Sequence, residues 1–277
     1  MAHTLRSYDD IPRPPLSSLR MVGAILLGLS VLAAIALGLV FSRPSKLPRS
    51  AAPVTIEGAA GPIRSYGSIP ELLAGNAEAK LSLGALSLGP STLAIGSISG
   101  LRGELAIVRG EPWLAYPVAG SGISVERNLE TQESVAFLAL TEVSKWQQQP
   151  LESVLPFERL ASELEERARR AGIVTQHPFP VMIDGTFSSI ELSVANGLVL
   201  DSKKASPTSL PSAVVKASLP QAKGTIVGFV APRGDGRLMR EGKTFDLQIV
   251  LPDAQKAGHL DSVQLEPGCV LRLPAPA

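Results

Sequence analysis

The chain has 277 residues, a formal net charge of +1 and a single cysteine, Cys269. So even a charge balance offers no electrostatic case for nucleic acid as a partner. One cysteine excludes an intrachain disulfide framework and any cysteine-rich metal site, and Cys269 reads as a small apolar filler in a C-terminal strand. The length admits one large domain or two small ones.

Residues 1–20 are polar, carry the cluster Pro12-Arg13-Pro14-Pro15, and read as a disordered tail. Residues 21–42 hold no charged side chain and lie between Arg20 and Arg43. An uncharged run of about 20 residues spans the bilayer hydrocarbon as a helix. A signal peptide's apolar region is shorter, and a core helix would show a polar stripe, so the segment reads as an uncleaved single-pass transmembrane anchor. Arg6, Arg13 and Arg20 before it nearly balance Arg43, Lys46 and Arg49 after it. Because long domains translocate largely regardless of flanking charge, the reading adopted is N-in, with the domain on the periplasmic or other extracytoplasmic side. Residues 43–62, rich in Pro, Ser and Ala, read as a flexible linker.

The folded domain is expected over residues 63–277. Ser68-Ile69-Pro70-Glu71 has the pattern of a capped helix start, with Ser68 as N-cap and Glu71 three residues on. Leu93–Ile98, Glu104–Val108, Trp113–Pro117 and Ser134–Val143 are short apolar segments and read as strands, with Arg109-Gly110 as a hairpin turn. Phe157, Leu160, Leu164, Ala168 and Ala171 recur at helical spacing over one face, and Gly172 stands where a C-terminal cap belongs. Val181–Ile183 and Phe187–Val194 read as a hairpin around Asp184-Gly185, and residues 201–222 as a long loop with at most a short helix. The last strands are Thr225–Val230, Phe245–Leu251, Ser262–Leu265 and Val270–Leu273. Many strands with one or two packed helices imply an α+β domain that is mostly β-sheet.

The stretch from Phe245 to His259 carries the chemistry. Alternation along a strand puts Asp246 and Gln248 on one face, and the Pro252-Asp253 turn returns the chain so that His259 comes beside them. Two polar groups at i and i+2 with a histidine across a hairpin is how a sheet assembles three metal ligands, but here one of the three is an imidazole. His177 before Pro178 reads as a surface residue, His3 lies in the tail, and Trp113 and Trp146 read as packing residues.

Four segments in order resemble the bacterial α-acetolactate decarboxylases: Tyr66–Gly75, Gly96–Leu105, Ile183–Phe187 and Gly224–Pro232. The likeness spans residues 65–266 and implies that family's fold. In the family the late strand reads H-x-H, with a third histidine after a G-G-H turn. The resemblance therefore aligns the zinc ligands with Asp246, Gln248 and His259, of which only His259 keeps its imidazole. The family's catalytic glutamate aligns with Glu104, and the threonine of the same segment with Ser97, which retains a hydroxyl. The arginines expected around the I-D-G stretch are absent: Met182 precedes it, and Glu191, Leu192 and Ser193 follow. The C-terminal carboxylate of the family has no match.

The family reaction takes 2-acetolactate to acetoin and CO₂, and a Lewis-acid metal stabilises the carbanion left by decarboxylation. Imidazoles suit zinc, whereas an amide carbonyl is a poor ligand, so this set implies zinc bound weakly, replaced by a harder ion such as Mn²⁺ or Mg²⁺, or absent. Three readings follow. One is a membrane-tethered, catalytically impaired relative with a degenerate zinc site that acts as a binding or scaffolding module. The second is a working metal-dependent carboxy-lyase on a small hydroxy-keto acid. The third is a structural envelope domain kept for partner contacts and homodimerisation. Each site residue also has a plainer role, His259 as a hydrogen-bonded structural histidine and Glu104 as a surface carboxylate.

Overall fold

The computed structural model describes residues 51–118, 120, 122–129, 133–197 and 213–275. The tail at 1–20, the anchor at 21–42 and the first part of the linker lie outside the described residues. Among the described residues, no helix is long and apolar enough to cross a membrane.

Two antiparallel sheets face each other. The first runs β1 (Val54–Ile56), β2 (Ile63–Tyr66), β8 (Ser134–Glu142), β4 (Thr92–Ile98), β5 (Glu104–Val108), β6 (Glu111–Val118) and β7 (Gly122–Glu126), with β3 (Leu81–Ser82) also on β8. The second runs β10 (Leu155–Pro156), β14 (Lys256–Leu265), β13 (Phe245–Leu251), β12 (Val214–Val230), β11 (Phe179–Ala195), β15 (Val270–Pro274) and β9 (Trp146–Pro150). In the second sheet β14 pairs with β11 as well as with β13, so β11, β12, β13 and β14 close on themselves. Ser189, at φ 48°, and the register shifts on either side of Glu191 bend β11. The bend carries it from β15, which it meets at residues 182–184, to β14, which it meets at 187–193. A bulge of this kind adds local twist, which closure requires.

Side-chain parity explains the layers. On β4 and β5, Leu93, Ile95, Ala106 and Val108 join the main core between the sheets, while Ala94, Ile98, Leu105 and Ile107 join a second core on the outer face with Leu81 and Leu83. Ser97 and Glu104 share parity with the first group and therefore face the second sheet.

The two helices follow their local signals. In α1 (Ile69–Leu73) the Ser68 hydroxyl accepts from the Glu71 amide at 3.3 Å. In α2 (Phe157–Arg170), Leu160, Leu164 and Ala168 are buried, and each leucine so removed from water stabilises the fold by about 1.5–3 kcal/mol. Its polar face is laced by Glu163–Arg167 at 2.5 Å and Glu166–Arg170 at 3.3 Å, and Gly172 takes φ 80° after the last turn. Arg109 and Gly110 both have positive φ, 53° and 80°, as a two-residue hairpin turn demands. His177 is half-exposed near Glu57, and Trp113 is buried with the Arg127 guanidinium 4.1 Å from its ring centre.

Three local readings are corrected. Asp184-Gly185 is no turn, because β11 runs unbroken from Phe179 to Ala195. Gly185 is needed for closeness: a Cβ there would lie 2.3 Å from Cys269 Sγ. Cys269 itself is buried in the turn just before β15, with Sγ donating to Thr186 O at 3.2 Å. Residues 214–222, read as loop, form the first half of β12 and pair with the second half of β11. Their polar content suits a strand exposed on one side. Residues 54–56, within the composition-based linker, pair with β2.

Candidate functional site

A single row of cross-strand neighbours builds the site. Gln248 on β13 pairs with His259 on β14, His259 with Ser193 on β11, and Ser193 with Lys216 on β12. The row forms one wall of a cavity of about 280 Å³; Ser97 and Glu104 of the first sheet form the opposite wall. Strand alternation adds Asp246, two residues from Gln248, and Asp261, two from His259. All five residues singled out in the sequence, Ser97, Glu104, Asp246, Gln248 and His259, line this one cavity.

Their polar groups are largely committed to one another. Glu104 Oε2 accepts from Ser97 Oγ at 3.0 Å and from Gln248 Nε2 at 3.1 Å. Gln248 is buried and aims its amide nitrogen across the inter-sheet space, so its N–H groups, rather than its carbonyl, meet the carboxylate. His259 Nδ1 lies 3.2 Å from Asp246 Oδ1, and 32% of the histidine side chain stays accessible, enough for a small molecule to touch it. Asp261 Oδ1 accepts from Ser193 Oγ at 3.0 Å.

Burial pushes Glu104 up to about 7, since a desolvated carboxylate prefers its neutral form; the nearby charge of His259 and the Ser97 hydrogen bond only partly oppose this. For His259, burial works against the cation, but the hydrogen bond and charge of Asp246, with Glu104 and Asp261 adding, outweigh it and raise the imidazole above its usual value. The cavity thus holds a carboxylic acid that exchanges its proton near neutrality beside an imidazole biased toward the cation. Such a pair can donate, accept or hold a proton on a bound carbonyl or hydroxyl compound. Among the described residues, no three of His, Cys, Asp and Glu are arranged as a metal-binding group.

Four polar or charged lining residues were missed in the sequence: Ser193, Lys216, Arg240 and Asp261. Asp261 could have been found by extending the strand parity from His259. Ser193 stood out in the sequence only as a position without arginine, and Lys216 fell in the misread loop. Arg240 follows the glycine-rich run after β12, where the sequence carries no periodic signal. Two cations therefore reach the cavity from segments outside the I-D-G stretch.

The Alpha-acetolactate decarboxylase family model matches residues 63–271. A comparison with curated proteins gives no match. Among solved structures, the alpha-acetolactate decarboxylase of Bacillus subtilis strain 168 is similar at 19% identity with a TM-score of 0.62, over 76% of this chain and 85% of that one. Acetolactate decarboxylase from Bacillus subtilis subspecies spizizenii gives 19% identity and a TM-score of 0.63, over the same 76% and 85%. A Staphylococcus aureus protein of unknown function, similar to alpha-acetolactate decarboxylase, gives 17% identity and 0.60, over 76% and 83%. At these identities the likeness to solved structures concerns the fold.

Proposed function

Since the chain belongs to the alpha-acetolactate decarboxylase family, we propose that it is a membrane-tethered member whose zinc site is degenerate and whose cavity binds a small hydroxy-keto acid with impaired turnover or none. The observation that carries this reading is that the would-be ligands are already engaged: Gln248 Nε2 on Glu104, and Asp246 with His259. A tight zinc site asks for several nitrogen or sulfur donors, and this set offers one imidazole and an amide whose nitrogen is turned to Glu104. The residues present do not fit zinc. The domain, on this reading, is held on the extracytoplasmic side by residues 21–42 and works as a binding or scaffolding module, with a homodimer as a candidate assembly.

Residual decarboxylase or related lyase activity is the second reading. It is favoured by Glu104, which keeps the position of an acid–base group and is held near 7.

The test uses the purified full chain, with bound Zn²⁺ and Mn²⁺ measured after dialysis and acetoin release assayed from acetolactate. Less than one equivalent of metal and no acetoin above the protein-free control are expected, with D246H/Q248H recovering one equivalent of zinc. A full equivalent of metal, with turnover abolished by E104Q, would establish the enzyme instead. Membrane fractionation of the full chain tests the tether, which predicts sedimentation with membranes and resistance to alkaline extraction.

A further inference from the structure

A second cavity, of about 240 Å³, lies against the first, lined by Phe157, Lys243, Phe245 and Leu260 together with Arg240, Asp246, His259 and Asp261. The last four also line the first cavity, so the Asp246–His259 pair and its neighbours are a shared wall. The two compartments differ in chemistry beyond that wall. The inner one continues into Ser97, Glu104 and Gln248, which present hydrogen-bonding groups. The outer one continues into an aromatic pair, Phe157 and Phe245, in edge-to-face contact with ring centres 5.7 Å apart. Lys243 adds an ammonium, while the Leu260 side chain is buried in the core.

The charges of the outer compartment are unevenly committed. Asp246 faces His259 at 3.2 Å, while Asp261 accepts from Ser193 through Oδ1 at 3.0 Å and its buried Oδ2 has no hydrogen-bond partner. Among the described residues, neither Arg240 nor Lys243 makes an ion pair, and both side chains reach the compartment from the segment leading into β13. A guanidinium can grip a carboxylate through two parallel N–H bonds, and an ammonium beside it adds a point charge. The Phe157 and Phe245 rings offer an apolar body its surface. The volume falls below the roughly 300 Å³ at which pockets for drug-sized ligands begin, which limits the occupant to one ring or a short chain.

We propose that this outer compartment is a second binding site, for an organic carboxylate with a phenyl-sized apolar body, its anionic end on Arg240 and Lys243 and its body on Phe157 and Phe245. The site shares the wall of Arg240, Asp246, His259 and Asp261 with the inner cavity, but Phe157, Lys243 and Phe245 belong to the outer compartment alone. Arg240, common to both, makes occupancy of one compartment felt in the other.

The experiment takes 3-phenylpropionate as probe and follows its binding to the purified full chain by calorimetry, with 3-phenylpropanol and acetate as controls. Lys243 lines only the outer cavity and Lys216 only the inner one, so the contrast between K243Q and K216Q locates the probe. Saturable binding is expected, weakened about tenfold or more in K243Q and R240Q and changed by less than about twofold in K216Q. The alcohol lacks the charge and acetate the body, and each should bind at least about tenfold more weakly. The proposal is overturned if the probe does not saturate in the millimolar range, if the alcohol binds as well as the acid, or if K216Q weakens binding as much as K243Q does.

Discussion

Two carboxylates at the junction of the sheets, Asp184 and Glu104, have opposite surroundings. Asp184 on β11 accepts from Arg272 Nε at 2.6 Å, from Arg109 Nη2 at 2.5 Å and from Thr225 Oγ1 at 2.8 Å. Arg272 belongs to β15 and Thr225 to β12, while Arg109 comes from the β5–β6 turn, so one side chain ties the second sheet to a hairpin of the first. Burial alone would raise Asp184, but two guanidiniums and a hydroxyl outweigh it and hold the carboxyl below its usual range. Among the described residues, Glu104 has a hydroxyl and an amide for contacts and pairs with no arginine or lysine, and burial wins. The fold satisfies one acid fully and leaves the other partly uncompensated.

The comparison sets two opposite pH slopes. Glu104, raised from 4.5 to about 7, contributes stability that is complete below 4.5 and lost as pH climbs through about 7. In E104Q that loss should vanish, leaving the variant more stable than the wild type above neutrality by on the order of 3 kcal/mol. Urea unfolding of the full chain at a series of pH values measures it. Equal slopes for the two proteins would mean that Glu104 is not held near 7.

Asp184 works in the other direction. Its contribution is present above the ordinary value of 3.8 and lost as pH falls through the lowered one. D184A should cost about 2 kcal/mol at pH 7, less than a fully buried pair because 25% of the Asp184 side chain is accessible. The acid limb of its stability profile should flatten. A neutral effect at pH 7 would show that the inter-sheet tie adds nothing net.

The smallest change is expected from S97A, which removes one hydrogen bond to Glu104 and should cost about 1 kcal/mol at pH 8, where the carboxylate form needs its donors. At pH 4, with Glu104 protonated, the cost should shrink. A loss independent of pH would assign Ser97 to packing alone.

Much of this architecture was legible along the chain. The Ser68 cap, the Phe157–Arg170 helix, the Arg109-Gly110 turn and strands β4, β5, β6, β8 and β13 rest on local signals: a capping side chain, a 3.6-residue period, a positive-φ pair and short apolar runs. The reading failed where the local signal pointed elsewhere. Asp184-Gly185 has turn composition, yet glycine serves there as space for Cys269 and aspartate as a clamp for arginines distant in sequence. Residues 214–222 look like loop because half of that strand faces water.

By itself, the sequence determined the mostly β domain, its two helices and the three polar residues of the β13–β14 hairpin, because period, capping and turn chemistry act over a few neighbours. Only the tertiary structure decided that Gln248 reaches Glu104 across 144 positions of chain and that Lys216 and Arg240 stand at the same cavity. Those relations depend on β11 bending between two partners and on the closure of β11 through β14. Register between strands far apart in the chain leaves no periodic trace in either of them.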